Sequence, residues 1–286
     1  MKILFTGKPP DWVTKQLESS GHKVISVAAD AYVDEAKFCK GIKGIDIYVS
    51  GGIETCTAKV IEASDALKLI IFLGVDYKAY IDEAAAAKSN IPIRNTPGAN
   101  ARAVSELTFL LILMSARKAA QMLSDTQHKE WKPQTGSELK GKTLGLVGSG
   151  TIAQQVANIG LGFGMTVLYW SRSGAKKGMT GQYQELDSVL AQSDILSLHV
   201  SSEAGVIIDK AALDKMQPHA ILINTSPAKL VDADALYTAL KNDRLSAAAF
   251  DSFYTEGKDA WACGEAKLFE LGAGRFFITP HAGWRT

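Results

Sequence analysis

Short apolar stretches rich in β-branched residues alternate with amphipathic helical stretches along most of the 286-residue chain. This alternation is typical of parallel α/β layers, in which each strand is followed by a crossover helix. In the first third of the chain, the predicted strands are KILFTG, KVISVA, IDIYVS, LKLIIFL and PIRNT. After a polar connection at 125–142, the predicted strands are TLGLVG, MTVLYW, ILSLHV, AILINTS, AAAFDS and FFITPHAG. The fold class is therefore α/β, with two doubly wound parallel-sheet domains.

A long helix is predicted over 101–122, after a turn that contains Pro97 and Gly98. Apolar positions cover most of its circumference, which indicates burial against its own domain and against a partner. Helices are also predicted in the first domain at CTAKVIEASDA (56–66) and AYIDEAAAAKS (79–89).

Charge and composition exclude several function classes. Lys+Arg number 31 against 30 Asp+Glu, so the net charge of +1 gives no field that attracts nucleic acid or anionic lipid. The longest apolar run (109–114) is too short to span a membrane, and the N-terminus lacks a signal-peptide pattern. The three cysteines have no metal-ligand spacing. We expect a cytoplasmic protein with reduced thiols, no metal site and a small-molecule substrate.

A glycine-rich turn, GSGTIA, joins a predicted strand to a predicted helix at 148–153. Gly148 permits the tight turn, Gly150 lets the backbone approach a pyrophosphate, and Ala153 lets the helix pack close to the strand. The helix N-terminus presents free N–H groups and a partial positive charge to the phosphates. The following strand MTVLYW completes a βαβ unit, which favours dinucleotide binding over a merely structural turn.

The end of that following strand indicates which dinucleotide binds. NAD sites usually carry Asp or Glu there to bind the ribose 2′-OH, but this chain has Ser171, Arg172 and Ser173, followed by Lys176 and Lys177. No carboxylate would repel a 2′-phosphate, and a guanidinium is available to pair with it. The expected cofactor is NADP(H), with NAD less favoured. A solvated basic loop remains the alternative.

The chain resembles the D-isomer-specific 2-hydroxyacid dehydrogenases, which include glycerate, glyoxylate/hydroxypyruvate and phosphoglycerate dehydrogenases. The resemblance covers nearly the whole chain and is carried by NTPGANARAVSEL (95–107), GKTLGLVGSGTIA (141–153), AILINTSPAKLVDADAL (220–236), AAAFDSFYTEG (247–257) and ITPHAGW (278–284). It implies a flavodoxin-like substrate domain at 1–98, to which 281–286 can also belong, and a Rossmann cofactor domain at 99–280. It further implies an active site in the cleft between the domains and a homodimer built around the long helix.

The resemblance also implies roles for individual residues. His281 matches the acid/base histidine, Glu256 its carboxylate partner, and Asp251 the acid near the nicotinamide. Gly51 and Gly52 match the loop whose backbone N–H groups face the substrate carboxylate, although a plain surface turn is equally consistent with them. The expected cofactor-binding residues are Gly148, Ser149, Gly150, Thr151, Ile152, Ser171, Arg172, Ser173, Val200, Ser201, Thr225 and Asp251.

Two features depart from the family pattern. Pro227 stands where the family has its substrate-binding arginine, and proline offers neither a charge nor a hydrogen-bond donor. Loss of such a donor can cost about 3–4 kcal/mol of transition-state stabilisation. The chain also ends five residues after His281, so we expect the family's C-terminal helix to be absent.

Three interpretations of Pro227 remain open. In the first, the protein reduces 2-oxo acids and another cation, for which Lys229 is the candidate, binds the carboxylate. In the second, the protein is an NADP-dependent oxidoreductase whose substrate lacks that carboxylate. In the third, catalysis has been lost and the fold is an NADP(H)-responsive binding module. Retention of both His281 and Glu256 favours an oxidoreductase.

Overall fold

The computed structural model describes residues 1–27, 33–51 and 54–284. The chain divides into two compact units, Met1–Ala99 and Asn100–Thr286. Each unit contains one parallel sheet, so the prediction of two doubly wound α/β domains is confirmed.

The first unit has five parallel strands in the order β2-β1-β3-β4-β5, which is the flavodoxin-like order. The strands are β1 Lys2–Phe5, β2 Lys23–Ser26, β3 Ile47–Ser50, β4 Leu69–Phe72 and β5 Ile93–Asn95. The helices are α1 Asp11–Ser19, α2 Glu35–Gly41, α3 Ala58–Ala63 and α4 Glu83–Lys88. The order reverses direction between β1 and β3, and the loops at their carboxyl ends therefore lie at the usual ligand-binding edge of such a sheet.

The second unit has seven parallel strands in the order β12-β11-β10-β9-β6-β7-β8. The strands are β6 Thr143–Val147, β7 Thr166–Trp170, β8 Gln182–Tyr183, β9 Ile195–Leu198, β10 Ala220–Asn224, β11 Leu245–Asp251 and β12 Phe276–Thr279. The helices are α5 Ala101–Ala116, α6 Ala119–Gln127, α7 Thr151–Gly162, α8 Leu186–Gln192, α9 Lys210–Lys215 and α10 Ala233–Lys241. Short 3₁₀ turns lie at Ser202–Ala204, Ala228–Leu230, Gly257–Trp261 and Gly264–Leu271.

Strand β10 shows why these sequences form central parallel strands. All five of its residues are buried. Leu222 belongs to one hydrophobic cluster, whereas its neighbours Ile221 and Ile223 belong to another. Successive side chains of a strand point to opposite faces, so both faces of this strand are covered. A continuous apolar run is the sequence pattern that such a strand requires.

The prediction of one long helix over 101–122 is wrong in one respect. The structure has two helices in this region, α5 and α6. Helix α5 ends at Ala116, and Lys118 has a left-handed backbone with φ of 51° before α6 begins. The carbonyl of Ala116 accepts a hydrogen bond from Ser137 N at 2.8 Å, so a distant segment satisfies the helix end. The apolar pattern runs through the break, which explains why sequence periodicity did not reveal it.

Side chains along these helices include exposed apolar ones, among them Leu110 in α5 and Leu161 in α7. The homodimer expected from the resemblance stays a prediction.

No helix in the described part of the chain is long and apolar enough to cross a membrane.

We expect the free energy of unfolding to fall as the pH is lowered from 6.5 towards 3. Burial lowers the pKa of His199 to about 3 in the folded protein, from the ordinary value of 6.5. Between these values the unfolded chain binds the extra proton, so stability is lost at roughly 1.4 kcal/mol per pH unit. Denaturant titrations at pH 7 and pH 4.5 measure this loss.

His199→Gln should make this pH dependence shallower, because it removes the titrating imidazole. His219→Gln is the matched control, since His219 is exposed. An identical pH dependence in the native protein and His199→Gln would contradict the assignment.

Candidate active site and cofactor site

The glycine-rich turn after β6 leaves no room for a side chain at one glycine and ample room at the other. Gly148 has φ of 121°, and a Cβ there would lie 2.2 Å from the carbonyl oxygen of His199. A Cβ at Gly150 would meet nothing within 4 Å. Gly150 precedes α7, whose first N–H groups have no partner within the helix. The open space at Gly150 and the N–H groups of Thr151 and Ile152 fit a dinucleotide pyrophosphate.

The loop after β7 carries the residues predicted to select the dinucleotide. Ser171 is buried, and its hydroxyl donates to the carbonyl of Gly174 at 2.6 Å. The hydroxyl of Ser173 lies 3.3 Å from that of Ser171. Arg172 is exposed. The turn therefore presents a solvent-accessible guanidinium at the end of β7. The sequence between Trp170 and Gly178 contains no acidic residue.

Lys176 connects this loop to the glycine-rich turn. Its Nζ donates to the carbonyl of Ser149 at 2.7 Å, and its backbone N–H donates to the Tyr169 hydroxyl at 2.9 Å. Lys176 is predicted to lie in a basic loop but is not among the predicted cofactor-binding residues. The contact brings a cation to the turn that would hold the phosphates, and no local sequence signal predicts it.

The loops that follow β9 and β10 are joined to each other. The Ser226 hydroxyl donates to the last carbonyl of β9 at 3.0 Å and accepts from Val200 N at 3.2 Å. The Thr225 hydroxyl lies 3.1 Å from that of Thr108 in α5. Ser201, next to Val200, is exposed. The structure thus brings the predicted residues Val200, Ser201 and Thr225 to the same edge as the glycine-rich turn.

Asp251, at the end of β11, anchors the turn that carries His281. Its carboxylate is buried, with 4% of the residue exposed. Oδ1 accepts from the Thr279 hydroxyl at 2.6 Å and from Ala282 N at 2.8 Å, and Oδ2 accepts from Gly283 N at 2.8 Å. These contacts hold the residues on both sides of His281.

His281 and Glu256 form a close pair. His281 Nδ1 lies 3.0 Å from Glu256 Oε1 and 3.3 Å from Oε2. Both side chains are partly exposed. Positive φ values occur at His281 (52°) and at Ser252 (143°), which follows Asp251. Strained non-glycine backbone of this kind clusters at functional sites.

Pro227 directly precedes the short 3₁₀ turn Ala228–Leu230 after β10. Its carbonyl accepts from the buried Asn224 Nδ2 at 3.2 Å and from Leu230 N at 3.1 Å. Its ring offers no donor. Lys229, the candidate replacement cation, is exposed on this turn.

The loop after β3 in the first unit holds the predicted substrate-binding residues. The N–H of Gly51 donates to Glu54 Oε1 at 3.2 Å, and Glu54 is buried. The carbonyl of Ser50 accepts from Leu73 N at 3.0 Å, which places the loop after β4 beside it. Gly52 lies outside the described residues. Glu54 is not among the predicted site residues, because its hydrogen-bond partners are distributed over the sequence of the unit.

Comparison with known proteins identifies the class to which this fold and this arrangement belong. Residues 109–283 match the profile of the D-isomer specific 2-hydroxyacid dehydrogenase, NAD binding domain. The chain belongs to the D-isomer-specific 2-hydroxyacid dehydrogenase family. The family prediction is therefore confirmed, together with the predictions of a dehydrogenase or reductase that acts on a CH–OH group and of a nicotinamide cofactor.

Individual relatives are similar over most of their length. A hydroxypyruvate reductase of Thermotoga maritima is 32% identical over 89% of this chain and 83% of its own. A glyoxylate reductase of Thermococcus litoralis is 33% identical over 98% of this chain and 88% of its own. Among solved structures, an acyclic imino acid reductase in complex with NADPH and D-arginine is 28% identical, with a TM-score of 0.81 over 100% of this chain and 91% of its own.

We expect alanine at the two turn glycines to have different effects. Gly150→Ala should fold normally, because φ of −73° suits alanine and the Cβ meets open space, yet its affinity for the dinucleotide should fall at least tenfold. Gly148→Ala should lose about 2 kcal/mol or more of unfolding free energy, because the Cβ collides with the His199 carbonyl. Thermal unfolding and NADPH titration measure both effects. Equal stability of the two variants would contradict the steric argument.

Proposed function

We propose that this protein is an NADP(H)-dependent oxidoreductase that interconverts a carbonyl carbon and a hydroxyl carbon, with His281 as the acid–base residue. The observation that carries the proposal is the contact of His281 Nδ1 with Glu256 at 3.0 Å. When bound, the nicotinamide supplies or accepts the hydride. The Met1–Ala99 unit then acts as the substrate domain and the Asn100–Thr286 unit as the cofactor domain.

His281 moves the proton in this proposal. Glu256 accepts the Nδ1 hydrogen, which fixes the tautomer, and we assign Nε2 the role of the atom that exchanges a proton with the substrate oxygen. During reduction, Nε2 donates a proton to the oxygen as negative charge develops there. During oxidation, Nε2 removes the hydroxyl proton, and the Glu256 carboxylate stabilises the resulting imidazolium.

Asp251 acts through position rather than by proton transfer. Its two oxygens already accept three hydrogen bonds from Thr279, Ala282 and Gly283. A group engaged in this way holds His281 in one place, and a well-placed acid needs such support. We therefore assign Asp251 the role of holding the His281 turn beside the cofactor.

Arg172 and Lys176 support NADP(H) as the cofactor. Arg172 is exposed at the end of β7, where a 2′-phosphate would lie, and guanidinium groups pair with phosphate in a bidentate manner. Lys176 adds a second cation, held at the Ser149 carbonyl. The imino acid reductase of similar fold was solved with NADPH.

Pro227 indicates a substrate other than a simple 2-oxo acid. The position offers no cation for a carboxylate, and the exposed Lys229 is a solvated residue of the following turn. Carbonyl compounds without the adjacent carboxylate do not need the missing arginine. His281 and Glu256 keep their roles with such a substrate.

A catalytically silent binding module is the second candidate function, and Pro227 is the observation that favours it. Such a module would keep the cofactor turn and would respond to NADP(H) without reducing any carbonyl. It would have no use for a histidine–carboxylate pair, and for this reason we place the oxidoreductase first.

We expect His281→Gln to lower kcat by a factor of about 10² to 10⁴, because the proton donor is lost. NADPH affinity should stay unchanged. Glu256→Gln should lower kcat less and should alter its pH profile, because the imidazolium loses its counter-charge. The measurement is NADPH oxidation with pyruvate, methyl pyruvate, glyoxylate and hydroxypyruvate.

His128→Gln is the control for these variants, since His128 is an exposed histidine of the same unit. Equal turnover by the native protein and His281→Gln would overturn the assigned role. Tight NADPH binding without reduction of any carbonyl compound would support the binding module instead.

Arg172→Ala should raise the Kd of NADPH at least tenfold and leave the Kd of NADH within twofold, because only NADPH carries the 2′-phosphate. Nucleotide fluorescence titration measures both constants. Arg94→Ala, at an exposed arginine of the first unit, should change neither. A parallel loss of affinity for both nucleotides would argue against a 2′-phosphate contact.

A further inference from the structure

A cavity of about 310 Å³ lies in the second unit, at the amino ends of its central strands. Ile195 begins β9 and Ile221 is the second residue of β10, and both line the cavity. Lys142, also in the lining, precedes β6, whereas Gly148 follows its carboxyl end. A strand rises about 3.3 Å per residue, so Lys142 and Gly148 lie about 20 Å apart. The cavity therefore does not belong to the candidate cofactor site.

The ionisable residues of the lining leave a cation available to a ligand. They are Lys118, Lys142, His219 and Asp194. Asp194 is already satisfied, because its Oδ1 accepts from Lys142 Nζ at 3.0 Å and its Oδ2 accepts from Thr143 N at 2.8 Å. Within residues 1–27, 33–51 and 54–284, the Lys118 ammonium makes no hydrogen bond or ion pair. With Asp194 neutralised by Lys142, the charge of Lys118 favours an anion in the cavity.

A buried hydroxyl in the lining also lacks a hydrogen-bond partner. Ser115, near the end of α5, lines the cavity, and only 7% of the residue is exposed. A serine within a helix can donate to the carbonyl four residues earlier, but in the described part of the chain the Ser115 hydroxyl has no partner. A buried polar group in this state costs free energy. A ligand in the cavity would supply the missing partner.

The backbone beside Lys118 does not oppose an anion. The Ala116 carbonyl at the end of α5 accepts from Ser137 N at 2.8 Å. The Ser115 carbonyl accepts from Lys118 N at 3.1 Å. Helix α6 begins at Ala119, and its first N–H groups have no partner within the helix. The positive end of the α6 dipole therefore lies next to Lys118.

The rest of the lining suits an organic phosphate. Apolar contacts are available from Ala116, Leu139, Ile195 and Ile221. Further hydroxyls come from Thr135, Ser137 and Ser246. A phosphate group carries a charge of about −1.5 to −2 at pH 7 and has three strong acceptor oxygens, which match this set of donors. Pockets for small molecules enclose about 300–1,000 Å³, so the cavity has room for a phosphate with a small organic group.

We propose that this cavity is a binding site for a small organic phosphate. The phosphate group accepts hydrogen bonds from the Lys118 ammonium and the Ser115 hydroxyl, and the organic group contacts the apolar lining. The site is distinct from the glycine-rich turn, so its ligand does not compete with a dinucleotide. This inference does not rest on the proposed oxidoreductase activity.

Propyl phosphate tests the proposal, with inorganic phosphate and propanol as its two halves. Isothermal titration calorimetry measures the Kd of each compound, with and without saturating NADPH. Propyl phosphate should bind at one site per chain, more tightly than inorganic phosphate, and propanol should not bind measurably. NADPH should leave the Kd of propyl phosphate within twofold.

Lys118→Asn removes the charge and suits the left-handed backbone at this position, where φ is 51°. It should raise the Kd of propyl phosphate about tenfold, because one charge-assisted hydrogen bond is lost. Lys129→Asn is the matched control. Lys129 is exposed, has φ of 62° and lies outside the lining of the cavity, so its loss should leave the Kd unchanged.

Ser115→Ala should raise the Kd of propyl phosphate about tenfold, because the phosphate loses a donor. Without ligand, its thermal unfolding temperature should be equal to or higher than that of the native protein. Alanine has the higher helix propensity, and the hydroxyl that it replaces has no partner. A serine with a merely structural role would instead lower the unfolding temperature and leave the Kd unchanged.

Three results would overturn the proposal. The first is that propyl phosphate does not bind. The second is that it binds with the same Kd to the native protein, Lys118→Asn and Ser115→Ala, which places the ligand elsewhere. The third is that saturating NADPH displaces it, which places the ligand at the dinucleotide site.

Discussion

The hydrogen bonds of the Asp251 carboxylate determine where His281 lies. The carboxylate is buried at the end of β11 and is satisfied by three donors, two of which are the backbone N–H groups that follow His281. His281 itself has φ of 52°, a conformation that costs energy and persists only when its surroundings enforce it. The pairing of His281 with Glu256 therefore depends on a carboxylate that need not touch the reacting atoms.

Much of the fold could be predicted from the sequence because central parallel strands are covered on both faces and read as continuous apolar runs. The strands from β1 to β7 and from β9 to β12 were predicted, and among them the edge strands β2, β5 and β12 followed from the alternation of strands with helices. The edge strand β8 was missed, because Gln182 and Tyr183 form too short a segment to produce a pattern. The break between α5 and α6 was missed because the Ala116 carbonyl is satisfied by Ser137, a residue 21 positions away, and not by a local cap.

The candidate site also contains some features that local sequence patterns predict and others that depend on residues far apart in the sequence. The glycine-rich turn, His281 and Glu256 belong to short sequence motifs. The residue types and their spacing in these motifs were enough to predict a function for each. The contact of Lys176 with Ser149 and the contacts of Glu54 with Thr6 join residues 27 and 48 positions apart. Only the folded sheet brings such residues together, so no local pattern could predict these contacts. Pro227 is the reverse case, because its significance comes only from the family pattern in the sequence, and the missing substrate-binding arginine stays a prediction.

The two glycines of the turn have different steric surroundings, and this difference has an evolutionary consequence. At position 148 the His199 carbonyl excludes any side chain, so a descendant that no longer bound a dinucleotide would still need glycine there to fold. At position 150 a side chain would meet open space, so the fold tolerates a larger residue there. A descendant free of selection for the cofactor would therefore drift at position 150 first. The two positions together would record whether a lineage had abandoned the nucleotide while keeping the architecture.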